Sequence, residues 1–276
     1  DKHITAFATL NRGQFEYNVL PMGLSTSPGT FQRCINTVLA GVAQKFAQGF
    51  LDDIVVYSPQ FSEHLAQLEE IFIRLRLAKL KLKPKKCNLA TQQLQYLGHI
   101  ISEKGIATDP AKTEAVANWP KPADVRQLRG FLGLCNYYAK FVPHYAEIAA
   151  PLHDLTRKSI KNFSEQWSDV HTAAFQQLKQ SLCSADVLAF PEFNADPEVK
   201  FILDCDASST RIGAVLNQQQ SDGTERPIAF YSRKMKATEQ RYPITRQELL
   251  AVVDSLRHFR FYLLGKKFLV RTDHRA

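Results

Sequence analysis

The stretch Phe50-Leu51-Asp52-Asp53-Ile54-Val55-Val56-Tyr57 constrains the fold most, because it sets two adjacent carboxylates inside an otherwise apolar, strand-like run. Burying unpaired ionised carboxylates costs several kcal/mol each, so such a pair is tolerated where a metal ion compensates or where a tight turn returns it to water. Adjacent side chains on a strand point to opposite faces, and both reach one metal cluster only if the chain turns there. A hairpin therefore serves two readings, a solvated pair at a tip or a ligand pair for metal.

At 276 residues with 45% hydrophobic content, the chain is no disordered tail, and its length suits one large domain or two ordinary ones. Thirty-five basic against 27 acidic residues leave +8, which favours anionic partners without choosing among nucleic acid, an acidic membrane and plain solubility. Cys34, Cys87, Cys135, Cys183 and Cys205 form no CxxC pair and stand at no zinc-ligand interval from a histidine, so they read as small hydrophobes in a reducing compartment. No apolar run approaches the roughly 20 residues of a membrane span, and no signal-peptide pattern opens the chain. The expectation is a soluble intracellular protein with no membrane partner. Opening in mid-pattern at Asp1 and stopping in mid-pattern at Ala276, the chain reads as a fragment.

The pattern predicts a strand over Phe15 to Leu20, a helix opened by Pro28 through Phe31, Ile35 and Leu39, and a buried strand from Gly49 to Tyr57. A helix capped by Ser62 follows, with Leu65, Leu68, Phe72 and Leu75 inward, then the basic, Pro-punctured stretch Lys79 to Lys86 and a strand over Leu94 to Ile101. Composition shifts at Asp109 towards helices and prolines. Asp124 and Gln127 make a capping-box pattern for a helix facing inward through Leu128, Phe131, Leu132 and Cys135, and helical texture continues to about Cys183. Beyond a linker bracketed by Pro191 and Pro197 the period becomes two. Strands are predicted at Val199 to Asp206, Gly213 to Gln218 and Pro227 to Ser232, with a turn at Ser221, Asp222 and Gly223 between the last two. A helix from Thr245 to Leu264, facing inward through Leu249, Val252, Leu256, Phe259 and Leu263 and ended by Gly265, precedes a strand at Lys267 to Thr272.

Phe50-Leu51-Asp52-Asp53 resembles the aromatic-x-Asp-Asp box of reverse transcriptases. Tyr17-Asn18-Val19-Leu20-Pro21-Met22-Gly23-Leu24, Ser27-Pro28 and Phe31-Gln32 resemble that family's nucleotide-binding motif. Lys81-Leu82-Lys83-Pro84-Lys85-Lys86-Cys87 resembles its basic motif, and Tyr96-Leu97-Gly98-His99-Ile100-Ile101 its primer-contacting hairpin. Trp119-Pro120-x-Pro122 and Phe131-Leu132-Gly133-Leu134-x-Asn136-Tyr137-Tyr138 are typical of the pol polyprotein of gypsy-type (Metaviridae) LTR retrotransposons. The resemblance implies that Asp52 and Asp53 hold catalytic Mg2+, two ions about 4 Å apart at each active site with Mn2+ as a substitute, and that Pro21, Met22 and Gly23 line the dNTP pocket. For Gly23, a missing side chain lets backbone approach a ligand, while the plain alternative is an ordinary turn. The family takes a further metal-binding Asp from a strand before Thr5-Ala6-Phe7, which this chain does not contain, so no processive synthesis is expected from it.

Leu203-Asp204-Cys205-Asp206-Ala207-Ser208 with Ile212-Gly213-Ala214-Val215-Leu216 resembles the first strand and turn of an RNase H domain. By that resemblance Asp206, Glu248 and Asp273 are catalytic, metal-holding carboxylates. Asp204 shares Asp206's strand face and is its rival, since a register error of two swaps them. Glu248 has another alternative role, because Thr245-x-x-Glu248 is also a capping box. Arg211 stands where the family usually has glycine. The fourth carboxylate lies downstream in the family, so residues 199–276 alone are expected to be partly ordered and not to cleave RNA.

Arg126, Arg129, Gly130, Gly133 and Tyr137 are candidates for nucleic-acid contact along a duplex, the two glycines alternatively serving helix packing. The resemblance thus implies an α+β and α/β multidomain chain: a partial palm over 1–108, a helical thumb and connection over 109–198, and a C-terminally truncated RNase H-like mixed sheet with helix over 199–276. The partners it implies are RNA template and DNA primer, RNA:DNA hybrid and dNTPs, in a parent element working in a cytoplasmic virus-like particle or the nucleus. Two functional readings stay open: a fragment of an RNA-directed DNA polymerase with ribonuclease H activity, or an inactive remnant that at most binds nucleic acid.

Overall fold

The computed structural model describes residues 2–157, 162–193, 201–220 and 222–273. Pro197, Val199 and Ser221, assigned above to the linker, a strand start and a turn, lie outside them. Two compact units divide the chain, Asp1–Thr91 and Gln92–Ala276. Among the described residues no helix is long and apolar enough to cross a membrane.

In the first unit β1 (Phe7–Thr9) and β2 (Gly13–Phe15) form a short hairpin. The strand expected from Phe15 to Leu20 ends where it was to begin: Phe15 pairs with Phe7, and the residues beyond have no ladder partner. Helix α1 (Ser27–Val38) starts with Pro28 in its first turn, a position that needs no N–H. The predicted strand at Gly49 to Tyr57 turns at Leu51 and Asp52, as the paired aspartates required, into a hairpin of β3 (Ala47–Phe50) and β4 (Asp53–Val56). Gly49 lets it close on α1, since a Cβ there would sit 2.6 Å from Ile35 Cγ2 and 2.8 Å from Leu39 Cδ1. Helix α2 (Phe61–Leu77) covers the same core, with Gln60 rather than Ser62 at the N-cap. Its buried residues are Ile71 and Leu75, one turn apart, whereas Leu65 and Phe72 fall on the flank and stay exposed. A single 3₁₀ turn, Pro84–Lys86, punctuates the basic stretch.

The second unit opens with an antiparallel meander, β5 (Gln93–Tyr96), β6 (His99–Ser102) and β7 (Gly105–Thr108). The single strand predicted at Leu94 to Ile101 is folded back by Leu97 and Gly98, both at positive φ (48° and 70°), the pattern of a type I′ turn. Buried Asp109 accepts the Ala111 N–H at 3.0 Å and caps α3 (Pro110–Ala117). Asp124 caps α4 (Val125–Tyr137) through the Gln127 N–H at 2.7 Å, and Leu128, Phe131, Leu132 and Cys135 are buried as expected. With α5 (Tyr145–Asp154), the single-turn α6 (Phe163–Gln166) and α7 (Asp169–Cys183) they enclose a core around Phe131, Phe175 and Leu178.

A four-stranded sheet follows: β8 (Phe201–Ala207), β9 (Arg211–Gln219) and β10 (Glu225–Lys234) antiparallel, then β11 (Phe268–Arg271) parallel to β8, in the order β10-β9-β8-β11. A parallel neighbour requires a crossover, supplied by α8 (Ile244–His258) and α9 (Arg260–Leu263). The predicted helix from Thr245 to Leu264 breaks at Phe259; of its expected inward face Phe259 and Leu263 are buried and Val252 and Leu256 pack on the core, and Leu249 alone is exposed. Glu248, Ala251, Ser255, Phe259 and Leu263 are buried, while Leu249 points to water, because α8 packs mainly on β8 and follows that strand's line. Gly265, at φ 75°, ends the crossover as expected. The sheet and helical core join within the unit: Phe230 of β10 packs on the helical core, and Ser232 Oγ accepts the Ala146 N–H at 2.8 Å.

Candidate metal centres and nucleic-acid face

β8 turns Asp204 and Asp206 to the same side of the sheet, two residues apart. The parallel register pairs Arg271 with Asp204, and Asp273 follows just past the end of β11, level with Asp206. Glu248 comes from the first turns of α8. Its capping alternative does not form, because Pro243 is the N-cap and Thr245 already lies inside the helix. Ligand oxygens of Asp206, Glu248 and Asp273 all lie within 4.8 Å of one another. Asp204 stands apart: its oxygens accept Arg271 Nε at 2.5 Å, Arg271 Nη2 at 2.7 Å and Asn217 Nδ2 at 2.7 Å.

Three carboxylates this close repel one another unless a cation sits among them, and among the described residues neither Asp206 nor Asp273 makes an ion pair. Hard oxygen donors gathered at one point suit a hard divalent cation such as Mg2+ or Mn2+.

Asp52 and Asp53 sit at the tip of the β3–β4 hairpin, both exposed, and among the described residues no third such side chain joins them in a cluster. The two-residue loop carries positive φ at Leu51 (50°) and not at Asp52, as in a type II′ turn, whose first position normally takes glycine. Gln32 of α1 holds this conformation: its Oε1 accepts the Leu51 N–H at 2.7 Å and its Nε2 donates to the Gly49 carbonyl at 3.1 Å. Ahead of that helix, Ser27 Oγ donates to the Pro21 carbonyl at 2.7 Å, pinning a turn in which Met22 is fully exposed and Gly23 has φ 92°. Gly23 is thus required by the backbone itself, and the turn is open to a ligand as well.

Arg126, Arg129, Gly130, Gly133 and Tyr137 are all exposed and share the solvent side of α4. The helix-packing alternative for the glycines does not occur among the described residues: a Cβ on Gly133 meets nothing within 4 Å, and one on Gly130 meets only Trp119 at 3.8 Å. Two of these candidates also have internal partners. Arg129 Nη2 donates to the Thr156 carbonyl at 2.7 Å, and the Tyr137 hydroxyl donates to the Leu97 carbonyl at 2.5 Å. Beside it the Tyr138 hydroxyl donates to the Gly98 carbonyl at 2.6 Å, and His99 Nδ1 lies 2.9 Å from the Leu97 carbonyl, which requires the Nδ1–H tautomer. Burial lowers the pKa of His99 below its ordinary value, which favours the neutral ring. Sequence reasoning assigned no such roles to Gln32, Tyr138, His99 or Arg271; their types carry no signal until partners distant in sequence are in place.

A hairpin lifting paired aspartates to its tip, and a mixed sheet gathering three carboxylates beside a crossover helix, define a chain that combines a polymerase-palm hairpin with an RNase H-like sheet. Residues 1–101 match the family model of reverse transcriptase (RNA-dependent DNA polymerase), and residues 167–270 match that of the RNase H-like domain found in reverse transcriptase. The chain carries these two domains. It is 38% identical over 270 residues to the retrovirus-related Pol polyprotein from transposon 297 of Drosophila melanogaster, covering 98% of this chain and 24% of the relative. To the transposon Tf2-3 polyprotein of Schizosaccharomyces pombe it is 35% identical over 277 residues, covering 100% and 20%. The chain thus spans about a quarter of the length of these curated relatives or less. Among solved structures, the foamy viral protease-reverse transcriptase dRH in complex with double-stranded DNA superposes with a TM-score of 0.84 at 26% identity, over 99% of this chain and 46% of that one. The foamy viral protease-reverse transcriptase in complex with RNA/DNA hybrid superposes with a TM-score of 0.81 at 25% identity, over 100% and 36%.

Proposed function

We propose that this chain is a catalytic portion of a gypsy-type LTR retrotransposon pol polyprotein, in which residues 1–108 and 109–198 serve as palm and thumb of an RNA-directed DNA polymerase and residues 199–276 serve as a ribonuclease H. The observation that carries the reading is the convergence of Asp206, Glu248 and Asp273 within 4.8 Å, drawn from two strands and a helix far apart in sequence. Bound there, Mg2+ or Mn2+ supplies Lewis-acid stabilisation for metal-assisted hydrolysis of RNA in a hybrid. Asp206 and Asp273 present oxygens from adjacent parallel strands, and Glu248 closes the set from α8. In the polymerase half Asp52 and Asp53 are the metal-holding pair, aimed by the Gln32-braced turn, and Pro21, Met22 and Gly23 border the incoming dNTP. The α4 face of Arg126, Arg129, Gly130, Gly133 and Tyr137 follows the template–primer duplex, phosphate contacts providing affinity without sequence preference.

Mn2+ titration of the 276-residue chain, followed by the EPR signal of free Mn2+, tests the site. Asp206→Asn, Glu248→Gln and Asp273→Asn should each weaken binding by about tenfold or more, as loss of a metal-site residue typically does. Hybrid binding, measured in parallel, should fall with salt by roughly 0.7 to 0.9 in log K per phosphate contacted. Mn2+ binding indifferent to all three substitutions sinks the metal-site reading, and hybrid bound without any metal binding favours the inactive remnant.

A further inference from the structure

β8 offers the cluster two chemically identical candidates, Asp204 and Asp206, on one sheet face about 6.6 Å apart along the strand. Alternation of apolar and polar residues excludes a one-residue slip of β11 against β8, because that would turn every side chain to the wrong face. It does not exclude a slip of two, which would bring Asp273 level with Asp204. Something else must select between them.

We infer that Arg271 is the positioning residue that makes Asp206, and not Asp204, the β8 ligand, by occupying Asp204 and locking the strand end that presents Asp273. The inference rests on the metal-site reading proposed above. Arg271 lies opposite Asp204 in the parallel register, and its Nε and Nη2 take the two oxygens of Asp204 at 2.5 and 2.7 Å. From its other edge Nη2 and Nη1 reach the two oxygens of Glu225 at 2.5 and 3.1 Å. Asn217 Nδ2 adds a bond to Asp204 at 2.7 Å, so both Asp204 oxygens are occupied. One planar fork therefore ties β11, through β8, to the start of β10, a double bidentate grip that an ammonium cannot reproduce. Side chains of Arg271, Asp204 and Glu225 are 46%, 33% and 36% exposed, and exposed ion pairs add little to global stability. Their consequence is local: a two-residue slip of β11 would break all four Arg271 bonds at once, and the carboxylate nearest the cluster on its own strand is withdrawn from competition for the cation.

The test is a double-mutant comparison on the full 276-residue chain, again reading Mn2+ binding by EPR, with melting curves alongside. With Arg271 intact, Asp206→Asn should weaken Mn2+ binding by about tenfold or more, and Asp204→Asn should leave it nearly unchanged. In an Arg271→Met background Asp204 is released, so the Asp206→Asn penalty should shrink to about threefold or less and Asp204→Asn should now weaken binding, a coupling that a purely structural arginine would not produce. If Arg271→Met melts too low to assay, Arg271→Lys keeps the charge and stem but not the double fork, and there too the Asp206→Asn penalty should be smaller than with Arg271. Equal Asp206→Asn penalties with and without Arg271 would overturn the inference. Failure of the metal-site reading is separate and appears earlier, as Mn2+ binding that ignores Asp206, Glu248 and Asp273 while Arg271 is still present.

Discussion

Leu51 and Leu97 carry positive φ of 50° and 48°, a conformation that costs a bulky residue about 1–3 kcal/mol unless its surroundings enforce it. Each sits at a hairpin tip, and in each case a side chain of a helix in the same unit grips the turn: Gln32 at Leu51, and Tyr137 with Tyr138 at Leu97 and Gly98. The tyrosine hydroxyls are dispensable to the packing of the rings, so the phenylalanine variants isolate the grip. Tyr137→Phe and Tyr138→Phe should each cost roughly 1 kcal/mol and, combined, speed amide exchange across Tyr96–Ile100. Unchanged exchange in the double variant would show that the turn holds itself. Asp206, Glu248 and Asp273 were legible through the resemblance of their motifs to an RNase H domain, since Glu248 near a helix start read equally well as a cap and an aspartate at a strand end is unremarkable on its own. The gripping side chains were not legible, since Gln and Tyr are unremarkable in a helix until the turn they hold is opposite them.

At the scale of elements, two glycines make opposite predictions. Gly105 starts β7 at φ 129°, and a Cβ there would lie 2.0 Å from the Leu188 carbonyl oxygen, where the backbone of Leu188 bonds to Ile106 in both directions at 2.8 and 2.9 Å. Backbone cannot step aside without losing those bonds, so Gly105→Ala should destabilise the second unit by roughly 2–4 kcal/mol in urea melts. A loss below about 1 kcal/mol would mean that the junction yields. Gly133 lies in α4 with open space beside it, so Gly133→Ala should stabilise by up to about 1 kcal/mol through helix propensity. If α4's outer face meets the duplex, the same substitution should weaken hybrid binding while raising stability, a combination that no packing defect produces. Element identities were mostly legible from period. Breaks inside elements were not: Leu97–Gly98 and Phe259 interrupt patterns that look continuous, because a tight turn between two apolar stretches leaves the alternation intact.

Across the second unit, four of the chain's eight histidines, His99, His153, His171 and His258, have pKa values lowered from an ordinary 6.5, in each case chiefly because burial disfavours the charged ring. The unfolded chain therefore takes up protons first as pH falls. Stability is full above about pH 6.5 and declines as pH drops from there towards the depressed values, so melting should fall by on the order of a few degrees between pH 7.5 and 5.5. His99→Asn, whose amide keeps a donor near Nδ1 without titrating, should flatten part of that decline; an unchanged slope would remove His99 from the set.

By itself the sequence determined most of the strands and helices and the inward face of α4, because period and capping chemistry are local properties of the chain, while the candidate metal-holding acids came from the resemblance of their motifs to a known family. Only tertiary structure decided which of those acids meet. The parallel pairing of β11 with β8, 67 residues apart at Asp204 and Arg271, brings Asp273 to Asp206, and the start of α8 at Ile244 takes Glu248 out of a cap and into the cluster. It also decided the inward face of α2, where Ile71 rather than Leu65 or Phe72 is buried, since a helix turns to whichever strands it packs on. The choice between Asp204 and Asp206, two residues apart on one face, was invisible to any period-two pattern and was made by a single guanidinium arriving from another strand.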